Sequence, residues 1–198
     1  MAIIYGCTNF NSANYNSLAT VDDGSCIIAG TRLHNITGEL TQQILAVGSN
    51  INVSSISLTN INFGGSTLID LYIERQLAGK FYLLKKVKLP VGATLIHDIR
   101  SFNNSSGEFG LFIKLTKSDV FTLTGTIDPI ADPTVTGVGT LFLTEVQVGD
   151  EIIVTGETRT VASIASNTSL EVTVATTNTA NDTTPDCSPK SRIDVILS

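Results

Sequence analysis

The sequence has no tryptophan, one methionine and two histidines among 198 residues. Charge is also scarce: Asp, Glu, Lys and Arg make up 15% of the chain, against roughly 25% in an average globular domain. The formal net charge is −6, so the chain lacks the Lys and Arg excess that neutralises phosphates, and no nucleic-acid partner is expected. No run approaches the roughly eighteen apolar residues of a membrane span, so no membrane partner is expected either. The opening MAIIYGCTNF has neither the basic nor the long apolar segment of a signal peptide, which predicts synthesis in a cytosol without export by that route.

Motifs for catalysis are missing in the same way. There is no G-x-S-x-G elbow, phosphate loop, H-E-x-x-H or C-x-x-C, and the carboxylates are scattered rather than paired. His97 and Asp98 are adjacent, but neighbours on a strand point to opposite faces and cannot orient one another. The expectation is a protein that is not an enzyme. Cys7, Cys26 and Cys187 are an odd set, reduced at synthesis by default. Cys187 reads as a free, partly buried thiol; pairing with Cys7 or Cys26, or with a neighbouring subunit, is the alternative.

The chain does contain strands, almost throughout. Runs rich in Ile, Val, Leu, Thr and Phe alternate with Gly, Asn, Asp and Pro, and no stretch keeps a helical apolar period. Six runs, Leu40–Val47, Ile51–Asn60, Thr67–Arg75, Lys80–Leu89, Ala93–Arg100 and Phe109–Leu115, suit a β-sandwich. Phe81, Leu83, Val87 and Leu89, with Ile69, Leu71 and Ile73, form its expected core face, opposite Leu68, Asp70 and Tyr72. The parity of Ile51 and Val53 differs from that of Ile56 and Leu58, which predicts a bulge at Ser54 and Ser55.

Beyond Val120 the strands shorten. Thr134–Thr136, Leu141–Leu143, Glu151–Val154, Thr158–Ile164 and Ser169–Val174 suggest a small β-barrel-like module. After it, Ile193, Val195 and Leu197 alternate with Arg192 and Asp194. A lone strand must join an existing sheet to bury its apolar face, so the module is read as an insertion. The fold class is all-β: residues 1–30 as an N-terminal element, 31–119 plus 190–198 as a sandwich, and 120–189 as the inserted module.

Three segments resemble patterns of tailed bacteriophages, especially those of marine and freshwater bacteria. The N-terminal run from Gly6-Cys7-Thr8-Asn9 through Asn14-Tyr15-Asn16 to Asp22-Asp23-Gly24-Ser25-Cys26 is similar to the GCTDPTACNYDPTATVDDGSC element of phage structural and bacterial surface proteins. It departs at Ala13, where many members have Cys, and at Asn9, where Asp is usual. On that resemblance Cys7 and Cys26 are a disulfide candidate, closing a loop worth about 3 kcal/mol on the chain-entropy model. Phe81 to Leu95 resembles the YLLKNVPIPAGSTL stretch of a phage virion sandwich family, which also ends on a closing strand. Gly137 to Pro185 is similar to a module of phage tail and fibre proteins.

The resemblances imply a virion location, assembly in a bacterial host cytoplasm, and partners among capsid, neck or tail proteins, with a symmetric oligomer expected. The expected role is an accessory or decoration protein; the alternative is a short fibre or adhesin binding host glycans. Two surfaces stand out. Asn9, Asn11, Asn14, Asn16, Asp22 and Asp23 offer hard oxygen donors for Ca²⁺, or else cap turns through side-chain to backbone bonds. Lys85, Lys86 and Lys88, with Lys80, form the one basic cluster, a solvated strand edge or a docking surface for an acidic neighbour. The N-terminal element is either the arm that grips the particle or a knob facing water.

Overall fold

The computed structural model describes residues 3–10, 12, 14–26, 31–49, 51–75, 78–103 and 109–198, with backbone alone for 99–103. Asn11 and Ala13 lie outside them. The N-terminal element holds a two-stranded parallel pair, β1 (Tyr5–Gly6) and β2 (Val21–Asp22). Then come β3 (Arg32–Thr37), β4 (Thr41–Leu45), β5 (Asn52–Asn60), β6 (Thr67–Arg75), β7 (Gly79–Leu89), β8 (Thr94–Asn103) and β9 (Phe109–Thr116). A run of shorter elements follows: β10 (Phe121–Thr122), β11 (Thr126–Pro129), β12 (Thr134–Val138), α1 (Phe142–Glu145), β13 (Glu151–Val154), β14 (Glu157–Ser166), β15 (Ser169–Val172) and β16 (Asp186–Ser188). The last strand is β17 (Arg192–Leu197).

Two four-stranded antiparallel sheets, in the orders β3-β17-β5-β8 and β4-β9-β6-β7, face one another. Ile56, Leu58, Val195 and Ile193 from the first and Ile69, Leu71, Leu111 and Ile113 from the second form one buried cluster. With the residues between β9 and β17 set aside, the order and the alternation between sheets are those of a jelly roll, two interlocked Greek keys. The final strand pairs on both sides, with β3 and β5, and so sits in the interior of its sheet.

At Ser54 and Ser55 both backbone N–H groups donate to the Ser198 carbonyl, at 2.7 and 2.9 Å. Two donors on one acceptor insert an extra residue, which lets Ile51 and Val53 reach the same core as Ile56 and Leu58. The alternation of β7 needs correction. Between the Ile73–Phe81 and Ile69–Val87 pairs, β7 carries two more residues than β6, and Lys86 there has φ 52°. Leu84, not Leu83, therefore lies opposite Leu71, both leucines pack on the core, and Phe81 is exposed at the edge. Tyr72 is on the outer face as expected, yet it is buried: neighbouring strands place Phe112 and Tyr82 on either side of it.

Residues 121–188 form a single seven-stranded arrangement in the order β10-β16-β13-β14-β15-β12-β11. It wraps a second buried cluster of Leu123, Ile127, Val135, Phe142, Ile152, Val154, Val161 and Leu170. The end strands β10 and β11 do not pair, so the sheet coils about its core without closing into a barrel. The expected strand at Leu141–Leu143 is instead one helical turn. The Asn167 carbonyl and side-chain oxygen accept the N–H groups of Phe142 and Leu143 at 3.2 and 3.0 Å. Those are donors that a helix start leaves without intrahelical partners.

Glu157 ties the far end of this module. Its carboxylate accepts the Thr177 hydroxyl and the N–H groups of Thr177 and Asn178, and pairs with Arg159. The Thr177 hydroxyl, then its N–H, then Asn178 and Arg159 hold the Glu157 carboxyl down at about 2. A depressed carboxyl stabilises the fold above its unfolded value, 4.5, and that contribution disappears as pH falls through about 2. Acid unfolding followed by circular dichroism should show the E157Q variant losing less stability than the parent between those two values.

Candidate functional site

In the N-terminal element Cys7 and Cys26 are joined by a disulfide, with their Cα atoms 4.6 Å apart. The element's carboxylates and carboxamides are engaged locally. Asp22 accepts the Thr8 hydroxyl at 3.1 Å and the Gly24 N–H at 2.9 Å. Asp23 accepts the Ser25 N–H at 3.0 Å, and bonds from Ser25 hold its carboxyl below the usual range. Asn16 accepts the Leu18 N–H, and the Asn14 amide donates to the Ser25 carbonyl at 2.7 Å. The Asn9 carbonyl accepts the Ser12 N–H. The bonds to Gly24, Ser25 and Leu18 are the turn-capping bonds of Asx residues two positions upstream, whereas those of Thr8 and Asn14 cross the element. No cluster of three His, Cys, Asp or Glu suited to a metal occurs among the described residues.

The element also leaves apolar surface uncovered. Ile3, Ile4, Tyr5, Phe10, Tyr15, Leu18 and Val21 are all exposed, Phe10 at 76% and Leu18 at 70%. Tyr5 stands directly opposite Val21 and Cys7 opposite Tyr15 in parallel pairing, so Tyr5 and Val21 are neighbours across the element's small strands.

The basic cluster lies on β7, an edge strand. Each lysine has its own setting. The Lys80 ammonium donates to the Tyr72 hydroxyl at 3.2 Å and lies over that ring, while Lys85 lies 4.7 Å from the Tyr82 ring centroid. The Lys86 N–H donates to the Asp70 carboxylate at 2.6 Å, and Lys88 pairs with Asp119 at 2.7 Å. Beneath them Tyr72 stacks on Phe112 and meets Tyr82 at a tilt, with ring centroids 5.6 and 5.5 Å away. Periodicity on β7 alone gave no sign of this row, because its three rings come from three strands.

A buried ion pair joins the two cores. Arg192, at the start of β17, reaches Asp150 at 2.6 Å and also donates to the Val148 and Lys190 carbonyls and to Gln147. Asp150 in turn accepts the N–H groups of Gln147 and Lys190, so each charge is held by several hydrogen bonds. Beside them the Ser191 hydroxyl donates to the Thr116 carbonyl at 2.8 Å, its N–H donates to Glu39 and its carbonyl accepts the Gly38 N–H at 2.8 Å. Gly64 and Gly65 complete the joint: a Cβ on Gly64 would lie 2.2 Å from the Phe121 ring, and one on Gly65 2.5 Å from the Asp119 carbonyl. The sequence showed Arg192 only as a polar residue in an alternating strand; its partner is 42 residues away.

His97 and Asp98 lie opposite Ile56 and Ser55, respectively, as separate rungs of β8. Cys187 is free and buried in the second core. Burial, and then the nearby Asp150 charge, push its thiol up to about 12. No helix among the described residues is long and apolar enough to cross a membrane.

No family model matches the chain, and no curated protein matches it. Among solved structures, that of the infectious bursal disease virus Gx strain superposes on 84% of this chain at 12% identity with a TM-score of 0.19. This chain spans 40% of that one. So loose a superposition carries no argument about fold or role.

Replacing Arg192 by Met strands a buried carboxylate, a loss of about 3 kcal/mol in urea titration. Adding Asp150→Asn to the same variant should recover part of it, the signature of a coupled pair. Cys187 should resist alkylation in the native protein at mildly alkaline pH and react once urea unfolds the chain. Because its raised thiol favours the neutral form, the fold loses stability as pH climbs from 9.0 towards about 12.

Proposed function

We propose that this chain is a non-enzymatic structural protein on the exterior of a tailed-phage virion, an accessory or decoration protein of the capsid, neck or tail that binds a major structural protein. The observation that carries this reading is the disulfide-stapled N-terminal element with its uncovered Ile3, Tyr5, Phe10, Tyr15 and Leu18. Large apolar side chains left exposed together on one small element point to a protein-binding surface. Of the two roles open to the element, that surface favours the gripping arm over a knob facing water.

Two further observations support it. Jelly rolls serve both as viral capsid domains and as lectins; the fold alone does not choose between them. The three phage-like segments, in the N-terminal element, along Phe81 to Leu95 and across Gly137 to Pro185, weigh toward the virion. Repetition of weak contacts by the particle's symmetry would supply the avidity that one copy lacks.

The second reading, a host-recognition module, has one observation in its favour. Tyr82 is exposed on the outer sheet beside Lys85, and an accessible ring can stack on a sugar. Binding of the isolated protein to arrayed glycans, without a stoichiometric band in purified particles, would favour it.

Gold-labelled antibody on intact particles is expected to mark the head, neck or tail; accessible virions without label would refute the exterior reading. If the lysine edge docks on an acidic neighbour, K86E combined with K88E should lower incorporation into particles and flatten its salt dependence. Unchanged incorporation would leave those lysines as edge protection.

A further inference from the structure

We propose that the N-terminal element of one copy of this chain docks on the β7 edge of a second copy, giving a head-to-tail assembly. A second copy and the major structural protein of the proposed function compete for this one apolar face, so the assembly is that of the isolated chain. It follows from two surfaces that are complementary in both charge and polarity.

The donor surface is apolar and purely acidic. Among residues 3–26 there is no Lys or Arg, while Asp22 and Asp23 are present. Ile3, Tyr5, Phe10, Tyr15 and Leu18 are exposed in the same element. The turns are fixed by the Cys7–Cys26 bridge and by the bonds from Thr8, Gly24 and Ser25 to the two carboxylates, so little further ordering is needed on docking.

The acceptor surface is basic and aromatic. On β7 and its neighbour β6, Lys80, Lys85, Lys86, Lys88 and Arg75 stand against Asp70 and Glu74 of β6 and against Asp119, which pairs with Lys88. This excess is local, in a chain whose total charge is −6. Phe81 and Tyr82 are both exposed there. Lysines already lie over the Tyr72 and Tyr82 rings within this surface, and the exposed Tyr5, Tyr15 and Phe10 offer rings of the same kind to Lys85 and Lys86. Complementary potentials of this kind fix register and raise the encounter rate.

The two surfaces are different patches, so the contact is heterologous. Such contacts close into rings or extend as filaments, according to the rotation between copies. The free edge of β7 would then be covered by its neighbour rather than exposed to indiscriminate strand pairing.

Sedimentation velocity of the oxidised full-length chain across a concentration series tests the proposal, with three variants. F10S combined with L18S alters exposed side chains outside the turn-capping bonds; K85E combined with K86E reverses the acceptor; D22K combined with D23K reverses the donor. The parent is expected to associate, each variant to associate about tenfold more weakly or worse, and the two charge reversals mixed together to regain association. Because Asp22 and Asp23 cap turns, a donor reversal that disturbs the element is set aside in favour of F10S with L18S. Zero-length carboxyl-to-amine cross-linking of light- and heavy-nitrogen chains should join Asp22 or Asp23 of one label to Lys85 or Lys86 of the other. A parent that stays monomeric throughout, or association that neither F10S with L18S nor K85E with K86E weakens, overturns it.

Discussion

The strand Arg192–Leu197 has no sheet of its own, and the sandwich depends on where it pairs. It fills the gap between β3 and β5, bonding both along its length, and its Ile193, Val195 and Leu197 are fully buried. Without it β3 would have no partner in its sheet and the core would be open along one side. The chain therefore lays down seven strands, makes the whole of the 121–188 module, and only then supplies the strand that completes the first core. Pairings this distant in sequence must meet the entropy of loop closure before they stabilise anything.

That order explains the chemistry at the joint. The module must leave the sandwich and return to it at a fixed place, because β17 has to begin in register. Arg192 is the first residue of β17 and the one that reaches into the module, to Asp150 and Val148. Ser191, one residue earlier, is held by Glu39 and Thr116 of the sandwich. A polar anchor at the start of an apolar strand sets where the strand begins, which apolar contacts, being non-directional, cannot do as sharply.

The sandwich was legible because its strands are long enough for parity to be counted. Even the change of parity at Ser54 and Ser55 could be located, since the apolar residues on each side are unambiguous. Local pattern failed where the deciding interaction lies elsewhere in the chain. Arg32 to Thr37 mixes Arg, His and Asn with an outward Leu33, so β3 was not anticipated. Leu141 to Leu143 alternates like a strand, but Asn167 caps it as a helical turn. On β7, two extra residues shift the alternation midway, so parity counted from Phe81 misplaced Leu84. Tyr72 is buried by rings from β7 and β9. The cysteines and the acidic and basic clusters were visible in the sequence; the apolar exposure around Cys7 and Cys26 was not, because composition does not say which side chains a small element can cover.

The first and last strands of the module pair with each other, Phe121 opposite Cys187 and Thr122 opposite Asp186. Its entrance and exit therefore lie side by side, as the two ends of a tolerated insertion must. Seen from the sandwich, 68 residues' worth of chain, from Phe121 to Ser188, occupies the position of a single short connection between β9 and β17. A lineage could exchange that cassette for another of similar footprint, or lose it to a short loop crossing between the sheets, while the eight-stranded frame kept its register. The frame and the cargo it carries are thus free to change at different rates.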